Sequence, residues 1–424
     1  MPAINYSMIG AEALDQHDPY AVLKIPEFRL FISARLCLTL ALQIQAVVVG
    51  WQIYSITKDP LSLGLIGLAE AIPSIFVALY AGHVADNVNR KNIIITCVLV
   101  LLICAAALLF YTLPLGSGLL RQFGVWPVYL VIFFSGIARG FNGPAVFSFM
   151  PQIINNKGLY ANAVSWSTTT WQGAAMAGPA IGGLIYGFWG ITASYAIDVV
   201  LMLVATTFFF LIKAKPLPPS EVRLPIKESL LSGIRFVFRN QIILSAISLD
   251  LFAVLFGGAV ALLPIFASDI LRTGPEGLGF LRAAPAVGSI LMAVYLTHRP
   301  IHVNAGKRML LCVAGFGLCM ILFGLSTNFW FSLILLGLSG AFDSISVIIR
   351  STLMQTLTPE HMKGRVSSVN NIFVGSSNEI GAFESGFTAR FMGVVPSVIF
   401  GGCMTLLVVG VTSWKAERLR RLHL

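Results

Sequence analysis

Charged side chains are scarce in this chain of 424 residues, where Asp, Glu, Lys and Arg fill 11% of the positions. A soluble protein carries about 25%, so the composition argues against a soluble globular fold. Motifs for nucleotide and metal chemistry are also missing, since there is no P-loop, no G-x-G-x-x-G after a strand and no zinc-type spacing. We therefore predict a protein that is not an enzyme and that needs no cofactor and no metal ion.

Two further shortages narrow the class of protein. The six cysteines all lie in apolar stretches without the spacing of metal ligands, so we interpret them as small core residues. The first thirty residues are polar and acidic and do not resemble a signal peptide. The first apolar span is therefore expected to direct membrane insertion.

Long apolar runs are what the chain has in abundance. The mean hydropathy is +0.84, and 57% of the residues are apolar. Stretches of about twenty apolar residues recur, each long enough to cross a hydrocarbon core about 30 Å thick. They predict an all-α integral membrane protein with twelve transmembrane spans at 29–55, 61–84, 92–113, 126–150, 160–188, 191–212, 241–268, 276–297, 308–326, 329–356, 366–390 and 394–413.

The net charge of +10 follows the topology of the chain. If both termini are cytoplasmic, 20 of the 28 Lys and Arg residues fall in the termini and in the loops on that side. This is the positive-inside distribution, and it predicts a multi-pass protein with both termini in the cytoplasm. The basic residues then face anionic lipid headgroups, so the bilayer is a predicted partner and nucleic acid is not.

The spans form two halves that echo each other. GLAEAIPSI (67–75) in the second span recurs as GFLRAAPAV (279–287) in the eighth, and GIARGFN (136–142) recurs as GLSGAFD (337–343). The first pair aligns Glu70 with Arg282. Parallel six-helix repeats imply two pseudo-symmetric bundles with a site at their interface. The predicted domains are a cytoplasmic segment (1–28), an N-terminal bundle (29–212), a proline-rich linker with an interfacial helix (213–240), a C-terminal bundle (241–413) and a basic tail (414–424).

These motifs resemble those of the major facilitator superfamily, and the resemblance covers nearly the whole chain. GHVADNVNRK (82–91) is similar to that family's loop between helices 2 and 3, G-x-L-A-D-R-x-G-R-K, with Val84, Asn87 and Asn89 as departures. The resemblance implies that Asp86 faces the start of the eleventh span and locks the outward-open state. It implies gating roles for Gly82, Asp86, Arg90 and Lys91.

Two other motifs of the resemblance concern coupling and export. Arg139 and Gly143 match the family's R-x-x-x-G feature, which is associated with proton coupling. GAAMAGPAIGG (173–183) is similar to a motif found mostly in exporters and antiporters, and 250–264 and 340–379 resemble the branch that contains the enterobactin exporter. Small residues permit close helix contact and proline bends a helix. The predicted helix-packing residues are Gly173, Gly178, Pro179, Gly182 and Gly183.

Ionisable residues inside the spans are the candidate site. Glu70 lies about ten residues into its span, near the midplane, where a carboxylate needs a partner or a proton. We predict that Glu70 and Arg139 couple transport to protons; the alternative is a fixed structural pair of Glu70 with Arg139 or Arg282. Arg350 is expected to extend to the cytoplasmic headgroups. The predicted substrate-cavity residues are Arg282, Asp250, Asp343, Glu379 and Asn378.

The sequence thus predicts a monomeric secondary transporter that works by alternating access in a bacterial inner membrane. Its partners are protons and a small amphipathic or anionic substrate, and the resemblance implies a siderophore-like or drug-like compound that is exported. Import or uniport of a small solute, lipid flipping or scrambling, and a non-transporting sensor are the alternatives.

Overall fold

The computed structural model describes residues 20–154, 156–215, 226–298, 304–359 and 362–420. Within these ranges the chain is almost entirely helical and has no strand. In the described part, ten helical stretches are long and apolar enough to cross a membrane. The predicted all-α membrane fold is confirmed.

The first half contains six long helices. Tyr160–Leu211 is continuous except at Gly190, where a φ of 78° breaks it into α5 (160–189) and α6 (191–211). A positive φ of this kind strongly favours glycine. The other helices of this half are α1 (Pro26–Thr57), α2 (Pro60–Asn87), α3 (Arg90–Thr112) and α4 (Trp126–Ile153).

The second half repeats the order, with one interrupted helix. α7 starts as Gln241–Gly257 and continues to Ile270 through the short segments Ala259–Leu262, Leu263–Ile265 and Phe266–Ile270. The interruption follows from Gly258, which leaves the helical region, and from Pro264, which has no N–H to donate. The remaining helices are α8 (Gly274–His298), α9 (Ala305–Leu325), α10 (Phe329–Leu357), α11 (Lys363–Met392) and α12 (Val394–Lys415).

Local sequence signals set several of the helix ends. Proline stands at the first position of α1 and α2, where a missing N–H costs nothing. The Asp59 side chain accepts a hydrogen bond from the Leu61 main chain and caps α2, and Asn89 caps α3 in the same way. The chain therefore turns sharply between neighbouring spans, which keeps consecutive helices antiparallel.

The internal repeat corresponds to a repeated helix contact. In the first half, α4 packs on α2 at Gly136, where an added β-carbon would lie 2.7 Å from the Glu70 main-chain oxygen. In the second half, α10 packs on α8 at Gly340, which touches the Pro285 main chain. Glycine at these points lets two backbones approach closely. The same pair of helices is therefore in close contact in each half.

The two halves meet on the side of the membrane away from the chain termini, here called the far side. On α2, Gly64 lies against α11, since a β-carbon added at Gly386 would be 2.7 Å from its Cα. On α5, Gly183 lies against α8, 2.6 Å from the Gly279 Cα by the same measure. Both contacts lie in the far half of the helices, so this half of the interface is sealed.

The side of the membrane that carries the chain termini is here called the terminal side. Toward this side, glycines on α4, α5 and α11 face open space. An added β-carbon would meet nothing within 4 Å at Gly143, Gly173 or Gly375. These residues lie on α4, α5 and α11, beyond the sealed contacts. The halves therefore enclose a cleft that opens on the terminal side, which the charge distribution predicts to be cytoplasmic.

Two amphipathic helices of ten or more residues lie outside the spans in the described part of the chain. The linker contains Ile226–Arg239, whose buried Val237 packs against Ile243 of α7 and Val366 of α11. This helix was expected from the sequence, and residues 216–225 of the predicted linker lie outside the described residues. Pro114–Phe123 forms a second, amphipathic helix between α3 and α4 that the sequence analysis missed.

Candidate functional site

The centre of the site is an ion pair between α2 and α4. The Glu70 Oε1 and Arg139 Nη1 atoms form a salt bridge, with 20% of the Glu70 side chain and 42% of the Arg139 side chain exposed. The close approach of α2 and α4 at Gly136 holds both side chains on the same level of the bundle. Because both groups keep access to solvent, the pair lies in the cleft and not in a dry core.

A second carboxylate reaches this pair from the opposite half. Glu379 on α11 lies against Gly67, where an added β-carbon would be 3.6 Å from its Oε2 atom. Glu379 forms no salt bridge with Arg139, but the two opposite charges are close enough to attract each other. Gly67 is almost one helical turn before Glu70, so two acids and one arginine gather between the halves. We call Glu70, Arg139 and Glu379 the charge cluster.

Arg282, the repeat mate of Glu70, lies elsewhere in the interface. Its Nη2 atom is 3.8 Å from the position of a β-carbon at Gly50 of α1, and Pro264 borders the same position. The side chain is half-buried. The structure thus leaves Glu70 paired with Arg139 and not with Arg282, and it puts Arg282 where α1, α7 and α8 meet.

A second ion pair joins Asp250 of α7 to Arg350 of α10. Only 6% and 5% of these two side chains are exposed. In this conformation Asp250 therefore does not line the cleft, contrary to the prediction, because Arg350 neutralises it inside the second bundle. The expectation that Arg350 extends to the headgroups is wrong for the same reason. The sequence could have indicated this pair, because the two residues lie at similar depths in the membrane. Asp250 is about 14 Å and Arg350 about 11 Å from the terminal-side end of its helix.

The remaining predicted cavity residues have no ionic partner. Asp343 is half-buried on α10 and forms no hydrogen bond or ion pair with the described part of the chain. Asn378 is exposed, and its side-chain amide donates 3.0 Å to the Val374 oxygen of its own helix. Neither joins the charge cluster in this conformation.

The predicted gating loop is described only in part. The surroundings of Gly82 and the side chain of Asp86 lie outside what the structure describes, so the expected contact of Asp86 with α11 stays a prediction. Arg90 is 7% exposed at the start of α3. Lys91 donates 3.0 Å to the Phe210 oxygen at the end of α6, which ties the loop to its own half.

The glycine motif of α5 faces two neighbours. Gly178 and Gly182 pack on α1, where β-carbons would lie 2.5 Å from Gln43 Cβ and 3.0 Å from Ile44 Cα. The main-chain oxygen of Pro179 approaches Gly279 of α8, as does Gly183. Gly173 instead faces open space. Four of the five predicted packing residues therefore lie at close helix contacts, two with α1 of the same half and two with α8 of the other half.

Two polar contacts on the far side join the halves, and the sequence analysis missed both. Arg390 of α11 donates to the Asp59 carboxylate at 2.5 Å. The Tyr54 hydroxyl of α1 donates to Asp269 at the end of α7. Each residue lies close to a span end, where polar side chains give no signal of their own. Together with the glycine contacts they hold the far side closed.

Comparisons with known proteins agree with this architecture. A family model described as transmembrane secretion effector matches residues 17–422. The enterobactin exporter of Escherichia coli O1:K1 is 27% identical over 387 residues, covering 91% of this chain and 90% of the relative. The same exporter of Shigella boydii serotype 4 is 27% identical over 389 residues with equal coverage.

Solved structures share the fold. A POT family transporter covers 93% of this chain and 98% of its own with a TM-score of 0.71 and 14% identity. A bacterial homologue of the human lysosomal transporter Spinster, solved in an inward-facing and unoccupied conformation, has a TM-score of 0.72 at the same identity and coverage. At this identity the likeness concerns the fold alone.

Proposed function

Because the chain belongs to the transmembrane secretion effector family of the major facilitator superfamily, we propose that it is a proton-coupled exporter of a small amphipathic or anionic molecule. The relatives that align over nine-tenths of the chain are exporters of enterobactin, which favours export over import. Enterobactin is therefore the first compound to test.

The charge cluster is the observation that carries this proposal. It brings two carboxylates and one guanidinium together between halves that must move relative to each other. Glu70 and Arg139 belong to one half and Glu379 to the other, so the attraction between Arg139 and Glu379 spans the boundary. A proton on Glu379 removes the attraction that spans the boundary, whereas a proton on Glu70 releases Arg139 within the first half. Protonation of the cluster is thereby linked to the relative position of the halves.

The proton cycle follows from the signs of these charges. With both acids ionised, the attraction of Glu379 for Arg139 stabilises the state in which the far side is closed. In the state open to the far side, an external proton binds the cluster as the substrate leaves. After the halves have returned, the proton is released on the cytoplasmic side, which restores the attraction of Glu379 for Arg139 and holds the far side closed. Each turn thus exchanges a substrate for at least one proton.

The opposite state needs its own lock. The loop at Gly82, Asp86, Arg90 and Lys91 lies on the terminal side, where the halves are apart in the described structure. We propose that it closes this side when the far side opens, with Asp86 against the start of α11. The contact of Asp59 with Arg390 and the loop contact would then alternate.

Flux measurements in inverted membrane vesicles test the proposal. Uptake of enterobactin, or of a compound from a panel of amphipathic dyes, is measured with an acidic interior and again with no pH gradient. We expect uptake that needs the gradient, accompanied by loss of internal protons. Gradient-independent movement of a fluorescent phospholipid would instead support a flippase, and gradient-independent equilibration of a solute would support a uniporter.

A further inference from the structure

Arg282 differs from the other arginines inside the spans. Arg35 donates to the Ser167 hydroxyl, while Arg139 and Arg350 each form a salt bridge with an acid. Within the described ranges, Arg282 forms neither a hydrogen bond nor a salt bridge, and its Nε atom is buried without a partner. A guanidinium carries five donors, so all of its hydrogen-bonding capacity is unused by the protein.

The internal repeat explains why no acid neutralises Arg282. In the first half the acid Glu70 and the base Arg139 occupy equivalent faces of α2 and α4. In the second half the corresponding positions are Arg282 and Gly340, so the base is present without an acid opposite. Asp250 of this half binds Arg350 instead, and Asp343 of α10 forms no ion pair with Arg282 either. Within the described ranges no acid therefore neutralises Arg282.

The guanidinium of Arg282 borders a position of α1 that has no side chain. Gly50 faces the guanidinium without a side chain, and the nearest atoms to a β-carbon there are Pro264 Cγ at 3.5 Å and Arg282 Nη2 at 3.8 Å. Alanine at position 50 would thus make ordinary contacts, whereas a larger side chain would press against Pro264 or the guanidinium of Arg282. Since Arg282 is half-buried near the sealed end of the cleft, a molecule that enters from the terminal side reaches it last.

An unpaired charge at bilayer depth is costly unless a partner compensates it. Arginine matches carboxylate and other oxyanions with two parallel hydrogen bonds. We propose that Arg282 binds the anionic oxygens of the transported molecule, which makes the substrate an organic anion and selects against its neutral analogues. This inference rests on the proposed transport function, and it decides between the amphipathic and the anionic alternatives.

Binding to the purified full-length protein in detergent tests the inference without transport. The probes are 1-naphthoate and its neutral analogue 1-naphthamide, compared by calorimetry at neutral pH. We expect the wild type to bind the carboxylate about tenfold or more tightly than the amide, because a hydrogen-bonded charge is worth about 1.5–3 kcal/mol. Equal affinity for the two probes, or no binding of the carboxylate, would overturn the inference.

Variants assign the effect to the side chain. Arg282→Gln should abolish the preference for the carboxylate, and Arg282→Lys should keep part of it, since an ammonium retains the charge without the bidentate geometry. Arg121→Gln changes an exposed arginine of the amphipathic helix Pro114–Phe123; it is the matched control and should bind as the wild type does. Gly50→Leu should weaken binding and Gly50→Ala should not. A carboxylate preference that persists in Arg282→Gln would contradict the assignment.

The two proposals fail in different ways. A carboxylate preference that depends on Arg282, in a protein without proton-driven flux, would remove the proposed coupling and leave the anion site. Proton-driven flux of anionic and neutral compounds alike, unchanged in Arg282→Gln, would leave the coupling and remove the anion site. Thermal unfolding of each variant shows whether the protein remains folded.

Discussion

Replacement of Glu70 by glutamine removes the carboxylate of the charge cluster while it keeps nearly the same shape. Arg139 loses its salt bridge and retains only the attraction of Glu379 from the other half. Glutamine does not bind a proton in the physiological pH range. The variant should therefore lose coupling to the pH gradient while it still folds and still binds substrate.

The effect on stability follows from the exposure of the two side chains. Two unit charges 4 Å apart attract by about 4 kcal/mol at an effective dielectric constant of about 20. Because 42% of the Arg139 side chain is exposed, solvent screens much of this attraction, and Glu379 replaces part of it. We expect a net loss of about 1–2 kcal/mol in unfolding free energy, which corresponds to a few degrees in the unfolding temperature.

Proteoliposomes with an internal pH dye measure the coupling directly. We expect Glu70→Gln to lower substrate-dependent proton movement by about tenfold or more, because glutamine cannot bind the proton that we assign to this carboxylate. Substrate exchange without a gradient should persist. The matched control is Glu384→Gln, which removes an acid of α11 that forms no salt bridge with the described residues. If Glu70→Gln keeps gradient-driven transport, or if the control loses it equally, the assignment of Glu70 is refuted.

Three further changes test other parts of the structure. Asp250→Asn should lower the unfolding free energy by about 3–5 kcal/mol, because it leaves a buried arginine unpaired, and thermal unfolding measures this; a change below 1 kcal/mol would contradict a structural pair. The β-carbon of Gly183→Ala should clash with the α8 backbone 2.6 Å away and populate the state that is open on the far side. Labelling of a cysteine introduced on the far side measures this state. Gly173→Ala is the control, because its β-carbon faces open space and should leave the labelling unchanged. Asp59→Asn should also favour the open state, by about 1 kcal/mol or less because Arg390 is 56% exposed, and unchanged labelling would show that the pair does not hold the far side closed.

Hydropathy and charge asymmetry predicted the membrane fold and the order of the spans, because the bilayer imposes helix length and composition on every span. The pairing of Glu70 with Arg139 was one of two alternatives left open. Span depth alone did not separate Arg139 from Arg282, since both lie well inside the membrane.

The rest of the site depended on contacts between distant segments. Glu379 joins the charge cluster because α2 and α11 pack closely at Gly67, and no sequence period encodes the rotation of one helix against another. Asp250 and Arg350 are far apart in sequence, and only a comparison of their depths along the two helices could have linked them. Loop residues such as Asp59 become informative only when the opposite half is in place.

The central claim is that protonation of the charge cluster sets the position of the halves. Its most direct test is the distance across the far side, measured by double electron–electron resonance between spin labels at the exposed positions Ile56 and Phe391 after replacement of the six native cysteines. Lowering the pH from about 8 to about 5 should lengthen this distance, because protonated Glu379 no longer attracts Arg139. The variant with both Glu70→Gln and Glu379→Gln should show no response to pH. A distance that does not change with pH in the wild type, or that changes equally in the double variant, would contradict the account.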